Sequence, residues 1–274
     1  MKIKEVIQKL EAHHAPLDPE RRTCDGVIAG DPERECTGIV TTCCPTAAVV
    51  KEAARLGYNF IICHEPTFFD GWDETDWLEE NGVYKAKMAL IQETGVTIYR
   101  DHDHLHNDQP DGIFTGLVKK LGWEEYQVGE GFAPASLYEF PETTVGRLAA
   151  DLARAAQIDG MRILGDPEMK VTRAGITFHF LGGPMDRVCI DYIDKNDCQV
   201  VIPGEVIDWT IGEYVQDAIA LGKKRALLNP GHFNWEEPGM EYMAQWLPGV
   251  VGPDVPMKFV QSGNSYQWLD FKNC

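Results

Sequence analysis

The sequence predicts an α/β protein of two similar lobes that face each other across a cleft, each with a mixed sheet flanked by helices. The first observation is a strand–helix–strand pattern. Apolar and β-branched residues in Gly38–Cys43 and Tyr58–Ile62 flank an amphipathic segment of helical length, which is typical of a right-handed βαβ unit with parallel strands. The second observation is a weak internal repeat, because residues 39–66 and residues 174–206 share the order strand, loop, helix and strand.

Length and charge limit the possible architectures and partners. The chain has 274 residues, enough for two domains, and a break near Gly122–Trp123 places the predicted lobes at residues 1–124 and 125–274, with a C-terminal segment that can return to the first lobe. The net charge is −18, from 25 basic and 43 acidic residues, and the basic residues are scattered. Nucleic-acid binding needs a clustered basic surface, and anionic membranes repel an acidic chain, so we expect neither partner.

The N-terminal segment and the cysteines predict a cytoplasmic protein. Residues 1–10 have one apolar helical face and lack the uninterrupted apolar stretch of a signal peptide. No part of the sequence approaches the ~20 apolar residues of a membrane-spanning helix. The eight cysteines form no C-x-x-C pair, and cytoplasmic thiols stay reduced. The adjacent Cys43-Cys44 has two interpretations, core packing or chemical reactivity.

Apolar periodicity and turn residues predict the other elements. Predicted helices cover residues 1–10, 45–56, 83–94, 114–121, 145–156, 186–195 and 237–246, with a further helix that ends at Gly222. Predicted strands cover residues 38–43, 58–62, 96–99, 161–164, 174–178, 198–202, 225–228 and 256–260, with a short edge strand inside residues 24–31. The segment 68–81 is acidic and aromatic, which favours either a lid over a site or an oligomer contact.

Histidines are concentrated in three segments that directly follow predicted strands. These segments are His64–Glu65, Asp101–His106 and His232–Glu236, and they contain five of the eight histidines. Open α/β sheets place functional groups at the carboxyl ends of their strands. Taken alone, each segment has an ordinary explanation as a surface charge pair, a polar loop or a surface helix. Their occurrence together predicts a metal site.

The spacing within these segments indicates which side chains share a face. His232 and Glu236 are four residues apart, which places both on one face of a helix. His102, His104 and His106 occupy alternate positions, and in an extended segment alternate side chains project to the same side.

The number of candidate ligands favours two metal ions. The predicted metal ligands are His64, Glu65, His106, His232 and Glu236. A catalytic zinc uses about three protein ligands and leaves one position open to water, so five ligands exceed the need of one ion. A carboxylate such as Glu236 can bridge two ions in a hydrolytic site. Imidazole and carboxylate ligands without a thiolate favour zinc, iron, manganese or cobalt over copper(I).

At these residues the sequence resembles the NIF-three-like dinuclear-metal-centre family, often labelled GTP cyclohydrolase type-two-like. Segment Val40–Pro66 is similar to the first family motif, Tyr99–His106 to the second, Gly204–Glu205 to a Gly-Glu turn and Gly231–Glu236 to the last motif. The resemblance extends more faintly from the first helix to Trp268, so it covers nearly the whole chain.

The resemblance implies two α/β lobes with the metals in the cleft between them, a toroidal homo-hexamer, and the short form of the family without an inserted middle domain. Two positions depart from the family pattern. His64-Glu65 stands where the family usually has His-His, and His106 stands where it has Asp. The two exchanges together keep three histidines and two carboxylates, so we interpret them as a ligand swap that preserves a two-metal site.

We hypothesise a metal-dependent hydrolase that acts on a small nucleotide- or pterin-like substrate. His102 or His104 would act catalytically, by orienting the ligands or by moving a proton. Aromatic residues near the site would stack on a heterocyclic substrate or would pack at subunit contacts. They are Phe68, Trp72, Phe233 and Trp235.

Two alternatives come from other functional classes. The first is a non-enzymatic metal-binding scaffold or regulator that acts through its oligomer surface, for which protein ligands would close the metal site. The second is a redox protein that uses Cys43-Cys44, for which activity would survive chelation of the metal. The family label alone does not fix the function, because one fold supports many activities.

Overall fold

A computed structural model describes residues 1–131 and 135–269. The chain divides into two compact units. The first unit contains Met1–Gly116 and Glu237–Gly263, and the second contains Leu117–Glu236 and the segment that begins at Asn264. Within the described residues, no helix combines the length and the apolar character needed to cross a membrane.

The first unit contains a five-stranded mixed sheet. Its strands are β1 (Gly26–Ala29), β2 (Ile39–Thr42), β3 (Phe60–Cys63), β4 (Thr97–Arg100) and β11 (Met257–Phe259), and their order is β1–β4–β3–β2–β11. The four strands from β4 to β11 are parallel, and β1 pairs antiparallel at the edge. The predicted βαβ unit is confirmed, because α2 (Ala47–Leu56) connects the parallel neighbours β2 and β3.

Helices cover both faces of this sheet. The helices that begin in the first unit are α1 (Ile3–His13), α2, α3 (Gly82–Thr94), α4 (Asp103–Asn107) and α5 (Gly112–Leu121). All four residues of β3 are buried, as expected for a central parallel strand. Phe60 and Ile62 pack with apolar residues of α1, whereas Ile61 packs with apolar residues of α2 and α3. Local signals define the helix ends: the Thr46 side chain accepts a hydrogen bond from Val49 N–H at the start of α2.

The second unit contains a six-stranded mixed sheet, with the order β5–β6–β8–β9–β10–β7. Its strands are β5 (Gln127–Val128), β6 (Ala135–Thr144), β7 (Arg162–Leu164), β8 (Lys170–Thr177), β9 (Val200–Ile202) and β10 (Ala226–Asn229). The central strands β8, β9 and β10 are parallel, and the other pairs are antiparallel. The remaining helices are α6 (Val145–Ala156), α7 (Pro184–Lys195), α8 (Glu213–Ala220) and α9 (His232–Val251). The predicted fold class, two α/β halves with mixed sheets and flanking helices, is confirmed.

Sequence patterns missed strand β6. It contains Pro141 and Glu142, which disfavour a strand by propensity, and its pairing with β8 shifts register between Glu139 and Thr143. Pairing with β6 also extends β8 to Lys170, four residues before the predicted start. Tertiary pairing therefore determined both boundaries.

Within the first unit, α9 makes a close backbone contact with α5. A Cβ atom at Gly239 would lie 2.6 Å from Ile113 Cα and 2.7 Å from Ile113 O, far inside normal contact distance. A Cβ atom at Gly249, also in α9, would meet no atom within 4 Å. The two glycines therefore differ in packing although they share one helix.

We expect Gly239→Ala to lower the free energy of unfolding by about 1–3 kcal/mol, because the added methyl group forces the backbones apart. Gly249→Ala is the matched control, and we expect it to be neutral or to stabilise by up to about 1 kcal/mol through helix propensity. Chemical denaturation of both variants measures the difference. Equal effects at the two positions would contradict the close packing.

Candidate metal centre

Three imidazole rings of the first unit lie close together at the carboxyl end of its sheet. His64 follows β3, and His102 and His106 follow the neighbouring parallel strand β4. The ring centroids are 4.5 Å apart for His64 and His102, 4.9 Å for His64 and His106, and 4.8 Å for His102 and His106. One ring nitrogen of each residue lies within 4.8 Å of the others. These residues, called here the three-imidazole cluster, are close enough to bind one ion.

Hydrogen bonds set the orientation of two of these rings. His64 Nδ1 donates to the main-chain oxygen of Asp101 at 3.2 Å, and His102 Nδ1 donates to Asp103 Oδ1 at 2.9 Å. The bond from His102 lowers the pKa of the Asp103 carboxyl, which keeps it ionised as the acceptor. A ring that donates through Nδ1–H carries its acceptor lone pair on Nε2, the nitrogen that can then bind a metal.

Asp111 has the same role for the third ring. His106 Nδ1 donates to Asp111 Oδ2 at 2.8 Å. The other oxygen of Asp111 accepts hydrogen bonds from the N–H groups of Ile113 and Phe114, in the first turn of α5. Because α5 fixes this carboxylate and the carboxylate fixes the imidazole, the orientation of His106 depends on the start of a helix.

The predicted extended geometry of residues 102–106 is wrong. Residues 103–107 form the short helix α4, and His102 precedes it with helical dihedral angles. His102 and His106 therefore share a face because they are four residues apart on a helical turn, whereas His104 points elsewhere. The aspartate Asp25 stabilises this turn, since its carboxylate accepts the N–H groups of His102, Asp103 and His104 at 2.7–2.9 Å.

His104 belongs to a different group from the three-imidazole cluster. Its Nδ1 is hydrogen-bonded to Asp25 Oδ2 at 2.7 Å, and a third member of the group is Asp101. The structure thus separates the two residues predicted to be catalytic, because His102 lies in the three-imidazole cluster and His104 supports the turn that carries it.

A buried histidine connects the N-terminal helix to this region. His14 lies between two carboxylates, with Nε2 at 3.1 Å from Asp101 Oδ2 and Nδ1 at 2.7 Å from Asp108 Oδ2. Burial alone would lower the pKa of His14, but the two hydrogen bonds outweigh it and raise the pKa to about 10. His14 is therefore an imidazolium in the folded protein at neutral pH.

Glu65, a predicted ligand, is buried beside His64. One carboxylate oxygen of Glu65 lies within 4.8 Å of a ring nitrogen of His64. The nearby Arg100 is also buried, with Nη2 at 3.9 Å from Glu65 Oε2 and hydrogen bonds to the main-chain oxygens of His64 and Gly71. Glu65 is thus positioned next to the three-imidazole cluster, with a guanidinium group nearby.

Cys24 is a further ligand-type residue near this site, and the sequence did not predict it. Its Sγ lies within 4.8 Å of potential ligand atoms of His102 and Asp103. Burial raises the pKa of Cys24 to about 12, so its thiol holds its proton at neutral pH.

The second unit contains two further predicted ligands. Helix α9 begins at His232, and its first turns place His232 and Glu236 on one face, with 3.1 Å between His232 Nε2 and Glu236 Oε2. Glu236 is 1% exposed. The prediction that these two side chains share a helical face is confirmed, and we call them the His–Glu pair.

Glu205 and His179 lie next to the His–Glu pair. Glu205 Oε1 lies 3.4 Å from His232 Nδ1, and the interaction with His232 lowers the pKa of Glu205. The His179 ring lies 4.3 Å from the His232 ring, and a ring nitrogen of His179 lies within 4.8 Å of ligand atoms of the pair. Sequence patterns did not single out His179, although it follows β8 in the same way that Glu205 follows β9 and His232 follows β10.

Two of the aromatic residues proposed to stack on a substrate do not have the necessary exposure. Phe68 and Trp235 are buried, so they pack inside the protein. Trp72 is exposed, and the guanidinium carbon of Arg22 lies 4.2 Å from its ring centre. This stacking holds part of the acidic and aromatic segment against the loop after α1.

Comparison with known proteins assigns the family. The family model described as Duf34/NIF3 (NGG1p interacting factor 3) matches residues 1–264. The chain belongs to the Duf34/NIF3 family. The resemblance inferred from the four sequence motifs is therefore confirmed.

Curated relatives of this Duf34/NIF3 chain are named GTP cyclohydrolase 1 type 2 homolog. One from Staphylococcus epidermidis (strain ATCC 12228) is 31% identical over 220 residues, which are 77% of this chain and 57% of the relative. Another from Staphylococcus aureus (strain MRSA252) is 32% identical over 133 residues, 47% of this chain and 34% of the relative. The chain thus matches between one third and just over half of the length of these relatives.

Solved structures show the same fold. The Staphylococcus aureus protein SA1388 superposes with a TM-score of 0.74 and 19% identity, over 98% of this chain and 99% of the other. A Bacillus cereus protein related to NIF3 has a TM-score of 0.73 and 13% identity over the same shares of both chains.

We expect the imidazolium of His14 to make stability depend on pH. Its pKa is raised from 6.5 in the unfolded chain to about 10 in the folded protein, so its contribution is complete below pH 6.5 and disappears as pH rises through about 10. Between these limits, the free energy of unfolding of the wild type should fall relative to that of His14→Asn by up to about 1.4 kcal/mol per pH unit.

Denaturation in the presence of a chelator, from pH 6 to pH 10.5, measures this slope without metal binding. His13→Asn is the matched control, because His13 precedes His14 and stacks on Trp246 outside the carboxylate pair. A His14→Asn protein with the wild-type pH slope would show that His14 is not charged between Asp101 and Asp108.

Proposed function

We propose that the protein is a metal-dependent hydrolase that acts on a small nucleotide- or pterin-like substrate and holds two divalent ions. The observation that carries the proposal is the three-imidazole cluster, in which every Nδ1 is hydrogen-bonded to an oxygen. Such bonds leave Nε2 as the nitrogen for the metal and are typical of histidine-bound metal sites. Three histidine ligands with an open fourth position form a known type of catalytic zinc site.

The residues fit a metal better than they fit an ordinary polar cluster. Three imidazoles at ring distances of 4.5–4.9 Å gain little from one another, whereas an ion between them would be stabilised by all three. We propose His64, His102 and His106 as ligands of one ion, and His232 and Glu236 as ligands of the other. His102 thus moves from a catalytic to a ligand role, and Glu65 remains a candidate ligand beside His64.

A bound divalent ion supplies an activated water and polarises a phosphoryl or carbonyl oxygen of the substrate. The protein residues keep the site ready for this chemistry. Asp103 and Asp111 hold two imidazoles in one tautomer, and Asp25 fixes the turn that presents them. The curated relatives are named after GTP, and these names support the nucleotide part of the proposal.

Metal content per chain tests the ligand assignment. We expect about two zinc or manganese ions per wild-type chain by mass spectrometry, and the loss of about one ion in His106→Ala and in His232→Ala. His104→Ala is the matched control, because it lies two residues before His106 and outside the three-imidazole cluster, so its metal content should equal that of the wild type. A wild type without metal after reconstitution with zinc, manganese and iron would refute the metal site.

Hydrolysis assays test the activity itself. With zinc or manganese bound, we expect the wild type to release phosphate from nucleoside phosphates, pterin phosphates or p-nitrophenyl phosphate. A chelator and His106→Ala should each reduce the rate by at least about 100-fold, because a metal supplies several kcal/mol of transition-state stabilisation. A metal-loaded protein that hydrolyses none of these compounds would favour the alternative of a metal-binding scaffold.

A further inference from the structure

A surface groove of the first unit lies along helices α2 and α3. Its volume is about 380 Å³, which is within the size range of small-molecule sites. Helix α2 contributes its first turn and Lys51. Helix α3 contributes four residues whose spacing of three and four places them on one helical face, namely Val83, Ala86, Lys87 and Leu90. Its described lining residues include none of the proposed metal ligands, so the groove is a separate feature of the fold.

Phe69 forms the remaining wall of the groove, and the loop that carries it holds it there. Its φ is 61°, in the left-handed region that residues other than glycine rarely adopt. Asp73 closes the loop, because its Oδ1 accepts hydrogen bonds from the N–H groups of Thr67 and Phe68 at 2.7 Å. Phe69 is 56% exposed, so the loop presents an aromatic ring to the groove instead of burying it in the core.

Lys87 brings a buried positive charge to the groove. It is 9% exposed, and its Nζ donates to the main-chain oxygen of Thr67 at 2.7 Å and lies 5.8 Å from the centre of the Phe69 ring. Within the described part of the chain, no carboxylate forms an ion pair with it. Burial lowers the pKa of Lys87, and the charge of Asp73 offsets this effect only in part. A further negative charge beside Nζ would therefore stabilise the ammonium.

The other groups that line the groove also favour an anion with an apolar body. The lining residues that the structure describes include two lysines and no carboxylate, although the whole chain has 43 acidic and only 25 basic residues. Helix α2 begins next to the groove, and its N-terminal turn adds the positive end of a helix dipole. Phe69, Val83 and Leu90 supply apolar surface. The groove is thus complementary to a negative group attached to a hydrocarbon part.

We propose that this groove binds a small organic acid, whose carboxylate pairs with Lys87 and Lys51 and whose apolar body packs on Phe69 and the groove-facing side of α3. A carboxylate suits the groove better than a phosphate, because a phosphate carries up to about two negative charges and needs more hydrogen-bond donors than two lysines on a largely apolar surface supply. The inference goes beyond the proposed function, since it needs neither a metal ion nor any residue of the candidate metal centre.

Isothermal titration calorimetry of the metal-free full-length protein with phenylbutyrate measures this binding. Removal of metal prevents the acid from binding to an ion. We expect one site per chain with a Kd of about 1 mM or below. Phenylbutyramide keeps the apolar body without the charge, and acetate keeps the charge without the body, so each should bind at least about tenfold more weakly. Equal affinity for phenylbutyrate and its amide, or no binding of phenylbutyrate, would overturn the proposal.

Three variants locate the site. Lys87→Met removes the charge and keeps a side chain of similar length, and we expect it to weaken phenylbutyrate binding at least about tenfold. Lys85→Met is the matched control on the same helix, because Lys85 pairs with Glu80 at 2.7 Å outside the groove, and its affinity should equal that of the wild type. Ala86→Phe fills the groove from an exposed position and should abolish binding. This variant tests the site even if Lys87→Met does not fold, as judged by circular dichroism.

The outcomes separate this proposal from the metal-dependent hydrolase. Wild-type affinity in folded Ala86→Phe would place the acid elsewhere and overturn the proposal. If a second copy of the chain covers the groove, phenylbutyrate will not bind and Ala86→Phe will change the oligomeric mass measured by light scattering, which would also overturn it. We expect Ala86→Phe to keep the wild-type metal content. A wild type that binds no metal would refute the hydrolase, whereas the titration of the metal-free protein decides the organic-acid site independently.

Discussion

The metal chemistry proposed for this protein depends on which nitrogen of each histidine carries a hydrogen, and the fold decides this through the oxygen or N–H group that faces each Nδ1. Asp101 O, Asp103 and Asp111 accept from the rings of the three-imidazole cluster. Each acceptor belongs to an element fixed by other contacts, such as the first turn of α5 for Asp111. The site is therefore defined by the residues around the imidazoles as much as by the imidazoles themselves.

Buried charges are balanced along a chain of hydrogen bonds beside this cluster. Asp101 is fully buried, and His14 stands next to it as a cation with Asp108 on the other side. Asp25 accepts three main-chain N–H groups from the turn that carries His102. Because an unpaired buried carboxylate costs several kcal/mol, each of these partners is part of what allows acidic residues to lie near the proposed metal site.

The sequence predicted the positions of the key histidines because open α/β sheets place functional residues at the carboxyl ends of their parallel strands. Strand ends at Cys63, Arg100 and Asn229 could be located from apolar runs, and the polar residues that follow them are the proposed ligands. The family motifs then indicated which of these residues correspond to the metal ligands of the family. The local shape of residues 102–106 was predicted wrongly, because a five-residue helix held by Asp25 has no apolar period of its own.

The residues that the sequence did not reveal act through long-range contacts. Asp25 and His14 reach the site from segments far away in the chain, and His179 accepts a hydrogen bond from a residue 26 positions later. Periodicity and motif spacing describe neighbours along the chain, so they cannot indicate such pairs. His179 was still detectable in principle. It follows β8, which is parallel to β9 and β10, and the sequence had already drawn attention to polar residues after β9 and β10.

The order of strands in the first sheet has a consequence for protein synthesis. Strand β2 pairs on one side with β3 and on the other with β11, which the ribosome makes only after the whole of the second unit's sheet. At about 5–20 residues per second, the β11 side of β2 waits on the order of ten seconds or more for its partner. During that time the apolar residues Ile39 and Val40, fully buried in the finished protein, belong to an unpaired strand edge. The nascent chain is thus exposed to mispairing and to chaperone binding at β2 until the last strand arrives.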